Sequence, residues 1–451
     1  MITLPEAYEK RMRVLLGNEF EAYLQAINSE NNRAFRVNLA KISVDEFKEI
    51  NPFETEAIPY VPNGFYLLND EKIGNHPYHH AGMIYVQEPA AMMPAECVDI
   101  QPHWWIADMC AAPGGKSTQL AGKLGEDGLL VSNEIISSRC KILTGNIERL
   151  GIRNAVTTCM DTSKLAAAFE GMFDLVMADA PCSGEGMFRK EQAATEEWSV
   201  ENVLMCAERQ KGILDNAARL VRSGGYIVYA TCTFSLEENE MVVDDFLARH
   251  TDFEIVKVNA AVEAATADGI RFDGCACENI NFARRFYPHL GRGEGQFMAV
   301  LKHKGEREER DIASLPKQKI DKAVFEFLDS TLVDYNKNDV TVYNGNPVFF
   351  APSIEIKKGT AFSCGVLIGE LRKNYIMPHH QFFMAMGRDF KRKIPLERDG
   401  EQIIKYLRGE EITCDCENGW AVVTVDGCVV GGAKVVSGVA KNHYPKGLRL
   451  H

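Results

Sequence analysis

Residues 104–124 read WWIADMCAAPGGKSTQLAGKL. A short apolar run closes on Asp108, a turn with a proline and two glycines follows, and STQLAGKL (117–124) continues with helical character. Strand, glycine-rich turn and helix in that order open an α/β sheet. The theme recurs. GLLVSNE (128–134) predicts a second strand ending on an acid, and residues 135–151 predict a long helix. AVTTCMD (155–161), FDLVMAD (173–179) and YIVYATC (226–232) predict three more apolar strands, each ending in a polar residue. Apolar strands separated by helices imply a parallel sheet covered on both faces, with ligands bound beyond its carboxyl ends.

The turn itself excludes two common ligand loops. A phosphate-binding P-loop needs glycine six residues before the lysine, where Cys110 stands, and the GxGxxG of nicotinamide-binding loops is absent. A Gly-Gly turn still permits close backbone approach to a ligand, and a helix start suits a carboxylate or another anionic group. Glu134 lies nineteen residues beyond Gly115. In nucleoside-binding α/β folds an acid about 20 residues downstream takes the ribose hydroxyls. Asp161, just past the third strand, falls where the adenine end would lie. Each acid alone reads equally well as a solvated strand end. Together, with no phosphate-binding lysine pattern, they favour S-adenosylmethionine over ATP or NAD.

Two cysteines follow two strands. DAPC (179–182) places Asp179, Pro181 and Cys182 after the fourth strand, and YATC (229–232) places Cys232 after the fifth. A strand-end cysteine is often a small buried hydrophobe. Two of them beside a cofactor loop suit nucleophilic chemistry better. Ser235 and Glu238 read as a capping box, which sets Cys232 just ahead of a helix whose positive end favours thiolate. Carbon 5 of a pyrimidine is too weak a nucleophile to attack a methyl sulfonium unaided. A thiolate adding to carbon 6 activates it, dividing one hard step into easier ones. Asp179 has the chemistry to hydrogen-bond the N3 and amino group of cytosine, and DAPC does not match the Asn/Asp-Pro-Pro-aromatic pattern of amino-group methylation.

At 451 residues the chain is expected to hold several domains. Its thirteen cysteines, odd in number and irregularly spaced, read as free thiols of a reducing cytoplasm. CAC (275–277) and CDC (414–416) lack a CxxC partner, so no metal is expected. No apolar run approaches the roughly 18 residues of a membrane span. A net charge of −13 weighs against nucleic acid as a partner, yet charge is local. GRDFKRK (387–393) is basic, and residues 427–451 carry Lys434, Lys441, Lys446 and Arg449 without one acid. Either run also reads as an ordinary solvated face. The N-terminal part predicts helix over about 4–27, strands at FRVN and GFYLL, and a capping box at SVDE (43–46). GWAVVTVDGCVVGGAKVV (419–436) predicts a β-hairpin turning at Asp426–Gly427.

The motifs HPYHHAGMIYVQEPAAM (76–92), DMCAAPGGKS (108–117), DAPCSGEGMFRK (179–190), YATCTFSLEENE (229–240), HLGRGEGQFMA (289–299) and KNHYPKGLR (441–449) resemble the RNA cytosine-C5 methyltransferase family of the Sun/Fmu type. The resemblance implies a Rossmann-like class I methyltransferase sheet over 96–303. It further implies a small α+β RNA-binding domain over 1–95, another domain over 320–395 and a β-rich PUA-like RNA-binding domain over 396–451, while dense charge and few large apolar residues make 304–319 a linker. Ala111, Ala112, Pro113, Gly114, Gly115, Lys116, Ser117, Glu134, Asp161 and Asp179 would bind S-adenosylmethionine. Cys232 would be the nucleophile, Cys182 would assist product release, and Asp179 would orient the base. The implied substrate is small-subunit ribosomal RNA or its precursor, acted on by a cytoplasmic monomer. The same chemistry on tRNA or another RNA, or a non-catalytic RNA-binding ribosome assembly factor, are the alternatives. GGAK (431–434) and GLR (447–449) stand where the family has GWGK and GWR, which implies altered RNA contact by the tail.

Overall fold

In the computed structural model, residues 2–30, 32–69, 71–190, 192–307, 319–352, 354, 356–357, 359–373 and 375–450 are described. Most of the expected linker, 308–318, lies outside them. The frame is a parallel sheet of β1 (Trp105–Asp108), β2 (Leu129–Asn133), β3 (Ala155–Thr158), β4 (Phe173–Asp179) and β5 (Val221–Thr231). The order is β3-β2-β1-β4-β5, and β6 (Gln296–His303) pairs antiparallel beyond β5. Every residue of β1, β2 and β3 is buried, as strands covered on both faces require. Helices α1 (Gly115–Ala121), α2 (Ser137–Leu150), α3 (Thr162–Ala168), α4 (Val200–Leu220) and α5 (Glu240–Arg249) connect or flank the strands. All five expected strands therefore form, in parallel where expected. The antiparallel β6 and the short edge strands at Phe253–Val256, Ala267–Asp268 and Arg284–Phe286 complete the edge beside β5.

The ends of the chain fold around this frame. Arg33–Val37, Gly64–Leu67, Thr55–Ala57 and Ile84–Val86 make a four-stranded antiparallel sheet, and the Ser43–Glu46 capping box forms as expected. Helices Glu6–Leu16 and Phe20–Ile27 send Tyr8, Phe20 and Tyr23 against Phe188, Trp198 and Phe234, beside the loops that follow β4 and β5. The expected C-terminal hairpin, Gly419–Val425 with Cys428–Val436, lies inside a five-stranded sheet. Its turn residues Asp426 and Gly427 have φ of 46° and 78°, the left-handed pair of a two-residue hairpin. Ser363–Cys364 extends the central sheet by pairing with β3. One core joins the two ends: Phe35, Val37, Phe47, Tyr78 and Ile84 pack with Ile403, Tyr406, Val430 and Val435.

The basic run 387–393 spends much of its hydrogen-bonding on the chain's own carbonyls at the surface. Arg388 donates to the Lys41 carbonyl, Lys393 to the Arg388 carbonyl and Arg392 to the Ser330 carbonyl. Where the resemblance leads one to expect a tryptophan, Gly432 presses so tightly on Phe383 that a Cβ would sit 2.3 Å from its ring. The aromatic at this place comes from the neighbouring strand. Trp420 lies 4.6 Å from the His443 ring and under the Lys434 ammonium.

Candidate active site

The loop from Met109 to Gly114 is held at the carboxyl edge of the sheet by its backbone. Met109 N–H donates to Met177 of β4, and Ala111 N–H donates to Asn133 of β2. Gly114, with φ of 114°, turns the chain into α1. A Cβ on Gly115 would crowd the Gln87 amide, so the turn also needs its small residues for packing. Asp108 lies beneath the loop and is 1 % exposed. One carboxylate oxygen accepts from Ser117 Oγ at 2.6 Å; the other, Oδ1, is buried without a partner. Burial pushes this carboxyl up to about 7, against the Ser117 hydrogen bond.

A cleft of about 1050 Å³ opens above. Ala111, Ala112, Pro113, Gly115, Lys116, Glu134, Asp161, Asp179, Cys182 and Cys232 all line it. Gly114 and Ser117 stand behind the lining. Glu134 accepts from Ile136 N–H at 2.9 Å and faces Arg139 at 3.3 Å. Ile135 and Ile136 line the cleft and are 61 % and 48 % exposed, an apolar shelf where solvated strand ends are usually polar. Asp161 caps α3 by accepting from Ser163 N–H and Oγ, which holds its carboxyl below the ordinary range. Lys116 donates to Asp179 at 2.7 Å. Burial opposes the Lys116 ammonium, but Asp179 outweighs it and holds the ammonium above its ordinary value.

The two thiols meet. Cys182 Sγ and Cys232 Sγ are 3.2 Å apart, both free and half-buried. The hydrogen bond to Cys232, then burial, push the Cys182 thiol well above its ordinary range, and either sulfur of the pair can donate to the other. The expected capping box is not what places Cys232. Helix α5 starts at Glu240, and its N-cap Asn239 makes no side-chain cap bond. Glu238 instead accepts from Ser183 N–H at 2.9 Å, and Ser235 Oγ donates to Glu185 at 2.7 Å. Both side chains turn inward because each finds a buried partner on the opposite loop.

Asp108, Glu185 and Glu238 were absent from the expected site. The signal for Asp108 was its place at the end of β1, directly before the glycine turn; the other two are polar residues in loops whose partners are distant in sequence. Among the described residues no group of three or more His, Cys, Asp or Glu is arranged to hold a metal ion, and no helix is long and apolar enough to cross a membrane. A second cavity of about 640 Å³, where the N-terminal, central and C-terminal parts meet, contains none of the expected residues.

A five-stranded parallel sheet with an antiparallel neighbour and a cleft over its carboxyl edge is the frame of a methyltransferase. A methyltransferase homolog protein from Pyrococcus horikoshii shares it with a TM-score of 0.58 and 28% identity, over 66% of this chain and 95% of that one. The family models described as the N-terminal domain of 16S rRNA methyltransferase RsmF, 16S rRNA methyltransferase RsmB/F, and the methyltransferase RsmF PUA domain match residues 4–89, 95–302 and 393–450. The ribosomal RNA small subunit methyltransferase F of Vibrio vulnificus (strain YJ016) is 31% identical over 476 residues, covering 99% of this chain and 98% of that protein. That of Pectobacterium atrosepticum is 35% identical over 316 residues, 67% of this chain and 63% of that protein. The chain belongs to the RsmF family of 16S rRNA methyltransferases.

Proposed function

We propose that the protein methylates carbon 5 of a cytosine in 16S ribosomal RNA, through a transient bond between Cys232 Sγ and carbon 6. The observation that carries this reading is the pair of free thiols 3.2 Å apart in the cleft that also holds Lys116, Asp179 and Glu134. The cleft fits S-adenosylmethionine. Asp108 Oδ1 is a buried acceptor without a donor, suited to an ammonium, and Ile135 and Ile136 offer an apolar face beside Glu134. The loop 111–117 with Asp108 would hold the amino-acid end, Glu134 the ribose, and Asp161 with the isoleucines the adenine. Bound there, S-adenosylmethionine supplies an electrophilic methyl group.

The protein's own residues do the rest. Asp179, held by Lys116, accepts from the cytosine amino group and orients the base. Cys182 lies within hydrogen-bond reach of Cys232 sulfur, where its S–H would support the attacking thiolate. Addition of that sulfur to carbon 6 makes carbon 5 nucleophilic. After methylation the carbon 5 proton must leave before Cys232 can depart, and Cys182 assists this release. RNA contact is supported at the C-terminal sheet, where Lys434 and Lys441 are exposed directly opposite each other on paired strands. Like charges so placed repel unless an anion bridges them. With labelled cofactor and 16S RNA, Cys232→Ala should abolish methyl transfer, and Cys182→Ala should trap a protein–RNA adduct that survives denaturation. Full activity in Cys232→Ala would refute the assignment. Bisulfite mapping of RNA from a deletion strain identifies the cytosine.

A further inference from the structure

The loops that carry the two cysteines are tied to each other crosswise. Glu185, three residues after Cys182, reaches the loop of Cys232: it accepts from Phe234 N–H at 2.8 Å and Ser235 Oγ at 2.7 Å. Glu238, six residues after Cys232, reaches back to the loop of Cys182, accepting from Ser183 N–H at 2.9 Å and from Ser183 Oγ. Glu185 and Glu238 are 3 % and 0 % exposed. Gly186 N–H adds a bond of 2.8 Å to the carbonyl of Cys232 itself, and a Cβ on Gly186 would strike that oxygen at 2.9 Å. Gln210 of α4 donates both to Glu238 and to the Pro181 carbonyl, joining the clamp to the residue before Cys182. Trp198 Nε1 donates to Glu185.

Two buried carboxylates without cations in these contacts are expensive to retain, since each is desolvated and must be satisfied by neutral donors. A loop pair needing only stability would be cheaper to join with apolar side chains. We propose that Glu185 and Glu238 are positioning residues that set the separation of the Cys182 and Cys232 sulfurs, each acid fixing the backbone beside the other's cysteine. The inference rests on the roles given to those cysteines above.

The two acids differ in a way that substitutions expose. Glu238 Oε1 faces Ser183 Oγ, a hydroxyl that also lies 2.8 Å from Thr233 Oγ1. In Glu238→Gln the amide oxygen takes the place of Oε2, and its NH₂ donates to Ser183 Oγ, which turns its own proton to Thr233. Glu185 has no such freedom. Oε1 meets the Trp198 N–H as well as Ser235 Oγ, and Oε2 meets the Phe234 N–H, so an amide NH₂ confronts a fixed donor in either orientation.

The test reads the thiol geometry without RNA. Diamide takes two electrons and two protons from the thiol pair, forming a Cys182–Cys232 sulfur–sulfur bond and a hydrazine. Closure is followed by mass spectrometry of the full-length protein, alongside calorimetric S-adenosylmethionine binding and single-turnover methyl transfer. Glu238→Ala and Glu185→Gln should slow both closure and methyl transfer, the latter by about 100-fold for a displacement near 1 Å, with cofactor affinity unchanged. Glu238→Gln, an isosteric change, should keep closure and transfer near the wild-type rates. Equal closure rates for Glu185→Gln and Glu238→Gln, or wild-type closure in Glu238→Ala, would overturn the clamp. Should closure follow the expected order while Cys232→Ala remains active, the clamp stands as geometry and the catalytic roles of the thiols fall.

Discussion

Acidification should loosen the joint between the two ends of the chain. His79 and His80, at the end of the short helix Pro77–His80, lie near Arg149, and His80 Nδ1 lies 2.7 Å from Tyr444 OH of the C-terminal region. His380 also meets Tyr444 edge-on, with ring centroids 5.5 Å apart, and both its ring nitrogens are buried and unpartnered. Burial, with the Arg149 charge adding, lowers His79 to about 3 and His80 to about 4; burial, with His379 and Lys41 adding, lowers His380 to about 3. The folded state therefore binds fewer protons than the unfolded chain, whose imidazoles titrate near 6.5. The contribution of these three imidazoles is full above pH 7 and falls as pH drops from about 6.5 towards 4. At pH 5 each histidine costs about 2 kcal/mol, so the three together cost on the order of 6 kcal/mol. That is a large share of an ordinary folding free energy of roughly 5–15 kcal/mol. Urea unfolding at pH 7 and pH 5, with hydrogen exchange read over 77–86 and 428–436, measures it. His380→Leu should reduce the pH 7-to-5 difference by about 2 kcal/mol. An undiminished difference in that variant would refute the reasoning.

Other outcomes follow from buried charges and close contacts. Arg285, 1 % exposed, is bonded through both Nε and Nη2 to the fully buried Glu240. Arg285→Met should cost about 3–5 kcal/mol in chemical denaturation, because the carboxylate is left buried and unpaired. Asp108, with its pKa near 7, is protonated on the acid side, so calorimetric affinity for S-adenosylmethionine should rise between pH 6 and pH 8, and Asp108→Asn should weaken binding and flatten that rise. Gly432→Trp, which would place there the aromatic expected from the resemblance, should lower the melting temperature rather than improve RNA binding, because of the contact with Phe383.

The sheet and its ligand-bearing edge were readable because strand periodicity and glycine turns are local. Asp179, Cys182 and Cys232 each follow a buried strand, and β4–β5 pairing brings the two thiols together without further information. The support of those thiols was not readable. Ser235 and Glu238 have capping-box spacing, yet the box loses to partners on the other loop, fifty and fifty-five residues away. Local propensity ranks a cap highly, whereas burial makes a satisfied carboxylate contact decisive. Nor does any periodicity in 33–86 announce that its apolar face is covered by residues beyond 400.

That shared core ties the order of folding to the order of synthesis. Phe35 and Val37 leave the ribosome well before the surface that covers them, including Tyr406 and Val430, is made. At roughly 5–20 residues per second, about 20–80 s separate Val37 from Val430 on the growing chain. Through that interval the first domain carries an uncovered apolar face, a target for chaperones and for premature association. A nascent chain arrested before residue 419 should leave the face of 33–86 that carries Phe35, Val37 and Phe47 more open to protease than in the full chain, and release of the final hairpin should close it.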